Sequence, residues 1–450
     1  MPPLLRYPTV DELGARAAAL VARHPRDARL RRAGTSREGR PLWLLSVGHG
    51  SHHALVVAGP HANEPVGGAT ALRLAERALA DPRLHQGADA TWNLLLCVDP
   101  DGLRRNEGWL HGPYTLGRYF RNFFRPGFLE QPEWLPDGAD HAALPETRAL
   151  LDLQDELRPF LQCSLHGVDV GGGFVELTHP LPGLPRRVAH TAARLGIPRE
   201  LGPYDTLYWP RLGPAVYRIP PPRRGDLVAA ITEAAVQSTW FHPYRHGTVT
   251  AVVEAPMWGV AAVEDGTAPA DGPGVLRAVS RTLRHDHLLL ERLLARIRPH
   301  LPATGEAERL LAPVDDYLLV APGLADAWDP DVVTADPQPL PPLSTAHLAT
   351  LRIAGRRLAL RTAGLLHRLV TGAGRDPTGV LPELDRIIDL WCADYREGCR
   401  ASWIPVARQV EYQSRVVRAA FELAARHAHT RSRSGEPGWG SEAAVPMHRE

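Results

Sequence analysis

The sequence predicts an α/β protein, a mixed sheet with helices on both faces, followed by a mainly α-helical C-terminal domain. Three observations carry that prediction. Through residue 260, short buried apolar runs alternate with helical patterns, the order of a sheet with covering helices. After Asp271 the strand runs stop, and Val275 to Ile297, Thr345 to Val370 and Leu381 to His427 form long amphipathic patterns. The strand runs themselves end in polar residues, at His61, Asp99, His166 and Glu254, and open α/β sheets bind ligands along that edge. The expected division is an α/β domain over 1–268, a helical domain over 269–427 and a disordered tail over 428–450.

The elements follow in order. Thr9 caps a first helix that runs to His24, with Glu12 three residues on as the capping-box partner. Arg29 to Gly34 and Pro41 to Val47 read as strands around the charged turn Ser36 to Arg40. A strand over Ala54 to Ala58 exits into Gly59-Pro60-His61, and a helix over Thr70 to Ala80 follows. Asn93 to Val98 is a buried strand closed by the turn Asp99-Pro-Asp-Gly102. Residues 103 to 138 show no periodicity and are rich in arginine, glycine, proline and aromatics, the mark of a functional loop system. Pro145 to Leu157 is a helix, Phe160 to Leu165 a strand ending at His166, and Phe174 to Leu177 a further strand. Residues 203 to 226 are again irregular, with a basic segment from Pro220 to Arg224, and Thr248 to Val253 is a β-branched strand leading into Glu254.

Composition removes several function classes. The chain is 44% hydrophobic and 22% charged, and its 51 basic and 50 acidic residues nearly cancel. No strong field points to nucleic acid or anionic lipid, and no apolar run approaches a membrane span. The N-terminus lacks a charged start followed by an apolar core, so no secretory signal is expected. Four scattered cysteines, Cys97, Cys163, Cys392 and Cys399, show no CxxC spacing and read as reduced thiols. A cytoplasmic location is expected from these features.

The chemistry-bearing pattern starts at His61-x-x-Glu64. Histidine and glutamate are good zinc-ligand types, and a strand end sets their geometry on rigid backbone while leaving the loop open. His166, 102 residues later at another strand end, completes a His, Glu, His set; catalytic zinc sites use three protein ligands and keep one position open.

The constellation resembles the zinc metallocarboxypeptidase family over roughly residues 5 to 265. Gly34-x-Ser36-x-Glu38-Gly39-Arg40 is similar to the family's opening hairpin, and Gly59-x-His61-x-x-Glu64 to its first metal motif. Asp99-Pro-Asp-Gly102 resembles its Asn-Pro-Asp-Gly turn, and Pro145-Glu-Thr147 the helix start before its second metal strand, which ends here at Leu165-His166-Gly167. Val249 to Pro256 looks like the strand that carries the general base. The resemblance implies that His61, Glu64 and His166 hold one Zn2+ ion and that Glu254 is the general base. It also implies an oxyanion-stabilising arginine after the Asp-Gly turn. Arg104 and Arg105 both stand there, and the spacing to Trp109 favours Arg105. Tyr119-Phe-Arg-Asn-Phe123 resembles the family's Asn-Arg-Asn motif, which would make Arg121 and Asn122 the clamp on a substrate carboxylate.

The chain departs from that pattern at Phe120, which replaces the first asparagine, with Asn106 or Asn122 as possible substitutes. The tyrosine that closes over substrate is open between Tyr204, Tyr208, Tyr217 and Tyr244. The resulting expectation is a zinc-dependent peptidase that attacks a peptide bond with an activated water and releases a C-terminal amino acid. One alternative is a zinc amidohydrolase acting on an acyl-amino acid or small amide. A second is a non-catalytic peptide-binding protein on the same fold.

Overall fold

The computed structural model describes residues 5–135, 143–220, 238–332, 340–374, 376 and 378–434. The chain runs α1 (Val10–Arg23), β1 (Ala28–Thr35), β2 (Pro41–Val47), β3 (His52–Ala58), α2 (Val66–Ala80), α3 (Arg83–Gln86), β4 (Ala90–Leu95), α4 (Pro100–Asn106), α5 (Leu116–Arg121) and α6 (Pro145–Leu157). It continues with β5 (Leu161–Gly171), β6 (Phe174–Leu177), α7 (Leu184–Leu195), β7 (Arg211–Gly213), β8 (Val216–Arg218) and β9 (Val249–Gly259). The remainder is α8 (Gly272–Ile297), α9 (Gly305–Ala327), α10 (Thr345–Gly372), α11 (Leu381–Ala393), β10 (Ser402–Trp403) and α12 (Val406–Ser434).

One mixed sheet has the order β1-β2-β4-β3-β5-β9-β6-β8-β7, with β10 added to β9. Its centre, β4-β3-β5-β9, is parallel, and β1, β2, β6 and β7 add antiparallel pairings. Parallel strands covered on both faces read as unbroken apolar runs. That is why Ala54 to Ala58 and Leu161 to Leu165 carry no alternation, and β5 is buried along its whole length. On one face α6 packs Ala149, Leu150 and Leu153 against Leu42, Leu55 and Val57. On the other, α1, α2 and α12 join the sheet in a larger core.

The motif residues of the opening hairpin have a packing role. Ser36 Oγ and the Glu38 backbone N–H donate to Asp101, at 2.7 and 2.9 Å, and Arg40 Nη1 donates to the same carboxylate at 2.7 Å. The Arg37 N–H donates to Glu146 at 2.8 Å. The charged turn therefore clips α4 and α6 to the edge of the sheet.

The helical region departs from expectation in three places. Gly305–Ala327 forms a helix although Pro313 and Pro322 lie inside it, which hides it from a propensity reading. Leu381 to His427 is not one helix: a π-helical turn at Asp394–Gly398 and the strand Ser402–Trp403 divide it, and Pro405 stands just before α12. α12 extends to Ser434, beyond residue 427; residues 435–450 of the expected tail, like 221–224 of the basic segment, lie outside the described residues. Hydrophobic contact is continuous across residue 268, because Leu165 and Val253 of the sheet share one core with Leu365 of α10 and Val417 of α12. Among the described residues no helix is long and apolar enough to cross a membrane. The four cysteines are unpaired, and three of them are buried.

Candidate metal centre

β3 ends at Ala58, and Gly59 turns the chain at φ +60°. A Cβ there would lie 3.0 Å from Cys97 Sγ, so this turn needs glycine on both conformational and steric grounds. The turn closes through the Glu64 N–H to the His61 carbonyl, at 3.1 Å, just before α2 begins at Val66. His166 stands one residue past the last β3–β5 pair, Ala58 with Leu165, and its register partner on β9 is Glu254. Three adjacent parallel strands thus deliver the predicted residues to one point of the sheet edge.

His61, Glu64 and His166 form the one His/Cys/Asp/Glu cluster of metal-binding shape among the described residues, with all ligand atoms within 4.8 Å of one another. The two Nδ1 atoms face each other at 3.1 Å, and the Glu64 oxygens lie 3.1 Å from His61 Nδ1 and 3.2 Å from His166 Nδ1. Behind the rings stands Glu133, a residue the sequence reading did not single out. Its oxygens lie 3.1 Å from His61 Nε2 and 3.1 Å from His166 Nε2, and Trp240 Nε1 donates to it. Ser164 Oγ is 2.9 Å from His166 Nε2. A carboxylate on the outer nitrogen of a ligating histidine fixes ring orientation and directs the other nitrogen to the metal.

The charges test whether the donor set fits a divalent cation. Burial alone would lower the His166 pKa, yet Glu133, Glu64 and Glu254 together hold it well above the usual histidine range. Burial likewise raises Glu133 and Glu64, but the two histidines overcome it and keep both carboxyls ionised. Buried carboxylates thus gather positive charge at the point where the Nδ1 atoms converge. A borderline-soft cation with N and O ligands, Zn2+ above all, fits that set.

Glu254 is the single position of β9 that is not buried, and its Oε1 lies 3.8 Å from His166 Nδ1. Burial raises its pKa to about 8; His166 and Arg125 oppose that rise, and Glu64 and Asp205 add to it. No hydrogen bond holds its carboxyl among the described residues, so it is available for proton transfer.

The arginine beside this cluster is Arg125. Its Nη2 lies 2.6 Å from His61 Nε2 and its Nη1 3.4 Å from Glu64 Oε1, while Nε donates to Gln131 Oε1 at 3.1 Å. The other predicted arginines are engaged elsewhere. Arg105 donates to Glu306 and to Glu38, at 2.9 and 2.6 Å, and stacks over Phe124. Arg121 donates to Asp385 and Asp389 of α11, at 2.8 and 2.9 Å. Asn122 caps α5, its Nδ2 donating to the Arg118 carbonyl at 2.8 Å. Phe120 is fully buried, its carbonyl lying against Gly364 of α10. Asn106 is buried and spends its amide on three main-chain carbonyls, so it reaches no substrate.

Of the four candidate tyrosines, Tyr217 donates to the Glu200 carbonyl, Tyr244 stacks on His179, and Tyr208 is exposed. Tyr204 lies beneath the Arg357 guanidinium of α10, 5.3 Å from it.

The C-terminal helices reach the centre directly. Gln413 of α12 donates to the His166 and Val253 carbonyls at 2.6 and 3.0 Å, and its Oε1 accepts from Thr70 Oγ1 at 2.8 Å. Arg361 of α10 donates to Asp169 at 2.8 Å, and the other Asp169 oxygen accepts from Tyr119 Oη at 2.7 Å and Asn63 Nδ2 at 3.2 Å. Asn63 is the neighbour of Glu64. No periodic signal marks Gln413, Arg361 or Asn63, because each acts from a loop or from a helix whose apolar stripe conceals its polar contact.

One family profile covers the residues of this cluster. The sequence profile of the family described as zinc carboxypeptidase matches residues 15–170, which hold His61, Glu64 and His166. The resemblance to zinc carboxypeptidases is therefore shown over that stretch, and Glu254 and the C-terminal helices lie beyond it. Among solved structures, a metallo-carboxypeptidase from Burkholderia cenocepacia is 15% identical, with 56% of this chain and 61% of that one covered at a TM-score of 0.37. Carboxypeptidase A from Helicoverpa armigera is 14% identical, with 56% and 65% covered at a TM-score of 0.36. No curated protein sequence matches.

Proposed function

We propose that the protein is a zinc-dependent metallopeptidase that hydrolyses a peptide bond and releases the C-terminal amino acid. The observation that carries this reading is the meeting, at one sheet edge, of the His61, Glu64, His166 donor set with an unbonded carboxyl, Glu254, and a guanidinium, Arg125. His61 Nδ1, Glu64 and His166 Nδ1 would hold the zinc, with Glu133 steadying both rings. When bound, zinc polarises a carbonyl and acidifies water. Glu254 takes the proton from the attacking water and returns it to the leaving amine, a role suited to a carboxyl that stands beside His166 and that no hydrogen bond holds among the described residues. Arg125 stands where a guanidinium can face the negative charge that develops on the carbonyl oxygen.

Glu254→Gln, with zinc content measured in parallel, tests the reading. Zinc retained with hydrolysis lost is the expected result, and hydrolysis that survives the substitution would overturn it.

The amidohydrolase alternative uses the same residues. For a small amide without a free carboxylate it is favoured by the engagement of Arg121 with Asp385 and Asp389, which removes the expected carboxylate clamp. A mass-spectrometric screen of mixed peptides beside N-acylated single amino acids separates the two by the products released.

A further inference from the structure

α2, α7 and α12 border an open groove of about 810 Å³ that shares no residue with the metal centre. Five arginines line it: Arg77 of α2, Arg186 and Arg187 of α7, and Arg415 and Arg418 of α12. Three carboxylates stand among them, and each already has a guanidinium. Glu411 accepts from Arg77 Nη2 at 2.5 Å and from Arg415 Nε at 2.6 Å. Glu422 accepts from Arg187 Nη1 at 2.5 Å and also faces Arg426, outside the groove, at 3.9 Å. Asp81 accepts from Arg83, likewise outside, at 2.7 Å. Arg186 and Arg418 have neither a hydrogen bond nor an ion pair among the described residues. Nη1 of Arg77 and Nε of Arg418 are buried without partners, although both side chains keep part of their surface on the groove. α7 adds its own positive end, with no side-chain cap and no acidic residue in its first turn, where Arg186 stands. A helix N-terminus stabilises anions and disfavours cations. The groove thus carries an excess of guanidinium charge, and its buried donors stay unsatisfied until an acceptor joins them.

The excess is spread over three helices, on Arg77, Arg186 and Arg418, and that spread says which anion. A carboxylate brings one negative charge and two oxygens, and Glu411 shows how two arginines exhaust it. A phosphate group carries close to two charges and three acceptor oxygens, and guanidinium forks take it through paired hydrogen bonds. Two or three linked phosphates present such groups in sequence, one to each helix. Ala80, Leu84 and Ala419 line the same groove and give the uncharged part of a ligand an apolar surface to rest on. The volume falls in the range of small-molecule sites, about 300–1,000 Å³. We infer that this groove binds a small molecule bearing a di- or triphosphate, inorganic or carried by a nucleotide, at a site separate from the metal centre. The site is independent of the hydrolytic reading above. Its position has a mechanical consequence, because α2 begins just after the Glu64 turn and Gln413 of α12 holds the His166 carbonyl. A ligand clasped between Arg77 and Arg418 ties together the two helices that Thr70 and Gln413 already join.

Calorimetric titration of the full-length protein at about 0.15 M salt tests this, with sodium tripolyphosphate, adenosine triphosphate and citrate as probes. Tripolyphosphate should bind saturably with a Kd of roughly 1–100 μM and raise Tm, and citrate, which carries similar charge without phosphate, should bind at least 10-fold more weakly. Arg418→Gln should weaken tripolyphosphate by roughly 10- to 100-fold, the range of a lost charge-assisted pair. Arg186→Gln changes an exposed, unpaired side chain, so the fold is kept, and should weaken it by roughly 10-fold. It carries the test alone if Arg418→Gln does not fold. Affinity should be the same with zinc loaded and after chelation. Equal affinity for the two phosphate probes assigns the site to the phosphates alone, whereas a 10-fold gain for adenosine triphosphate assigns it to a nucleotide resting on Ala80, Leu84 and Ala419. Absence of saturable binding, equal affinity for citrate, or affinity unchanged in Arg186→Gln overturns the inference. Binding that is lost on chelation does so too, because it places the probe on the metal.

Discussion

Gln413 donates through Nε2 to the main-chain carbonyl of His166, at 2.6 Å, from a helix that begins 240 residues after that histidine (166 to 406). The same amide group donates to the Val253 carbonyl beside Glu254 and accepts from Thr70. One side chain of α12 thus braces two of the three strands that lead to the metal centre. Gln413→Leu removes these three hydrogen bonds from a buried site and should cost about 3 kcal/mol. Urea denaturation checks this, and a midpoint within error of the wild type would refute it.

Glu133 touches both histidines from behind and is itself fully buried. Glu133→Gln keeps the size but removes the charge, and should weaken zinc binding by about 10- to 100-fold. Titration against a chelator of known affinity measures this, with circular dichroism confirming an intact fold. Unchanged zinc affinity would show that the two rings orient themselves.

Arg125 and Arg105 make a matched pair of substitutions. Arg125→Ala should lower kcat by about 100- to 1000-fold, the loss seen when one donor to a developing oxyanion is removed. Arg105→Ala should leave kcat within a few-fold and act instead on stability, since its partners are Glu38 and Glu306. The reverse order of effects would return the catalytic role to Arg105.

Glu200 is buried where β6 meets α10, accepting from the Gly172 N–H and from Thr350 Oγ1, and burial raises its pKa to about 7. The folded protein therefore holds this proton more tightly than the unfolded chain does. Its contribution is complete below the unfolded pKa of about 4.5 and is lost as pH rises to about 7, a change of about 3 kcal/mol. Glu200→Gln should remove that part of the pH dependence. Unfolding free energies of both proteins at pH 4.5, 6 and 8 would show it, and parallel curves would exclude Glu200 as the source.

Zinc itself should stabilise the fold, because the ligands converge only when three strands are aligned. Added zinc should raise Tm progressively with concentration, and chelation should reverse the rise. In His166→Ala the shift should shrink sharply.

The sheet edge was legible because period and position coincide there: apolar runs end in residues whose side chains have no apolar reason to stand there. His61, Glu64, His166 and Glu254 were found in this way. The arginine that adjoins them was not singled out, because residues 103 to 138 have no period from which to count. Arg125 lies four residues beyond the predicted clamp and adjoins the ligands, whereas Arg121 lies against α11. The helices of residues 272 to 434 showed their apolar stripes but not their partners. Gln413 and Arg361 sit among residues that pack against the sheet, and a stripe does not tell which surface it will cover.

Tyr7 donates to Gln409 at 2.7 Å, across 402 residues of sequence. Together with the Thr70–Gln413 contact, it means the two ends of the fold meet only after nearly all of the chain has left the ribosome. Strands β3, β5 and β9 can pair earlier, but their α12 face stays open to water until residue 406 and beyond have been made. The bracing of the metal centre therefore arrives last in synthesis, and a nascent chain carries His166 for most of its growth without the helix that holds its strand in place.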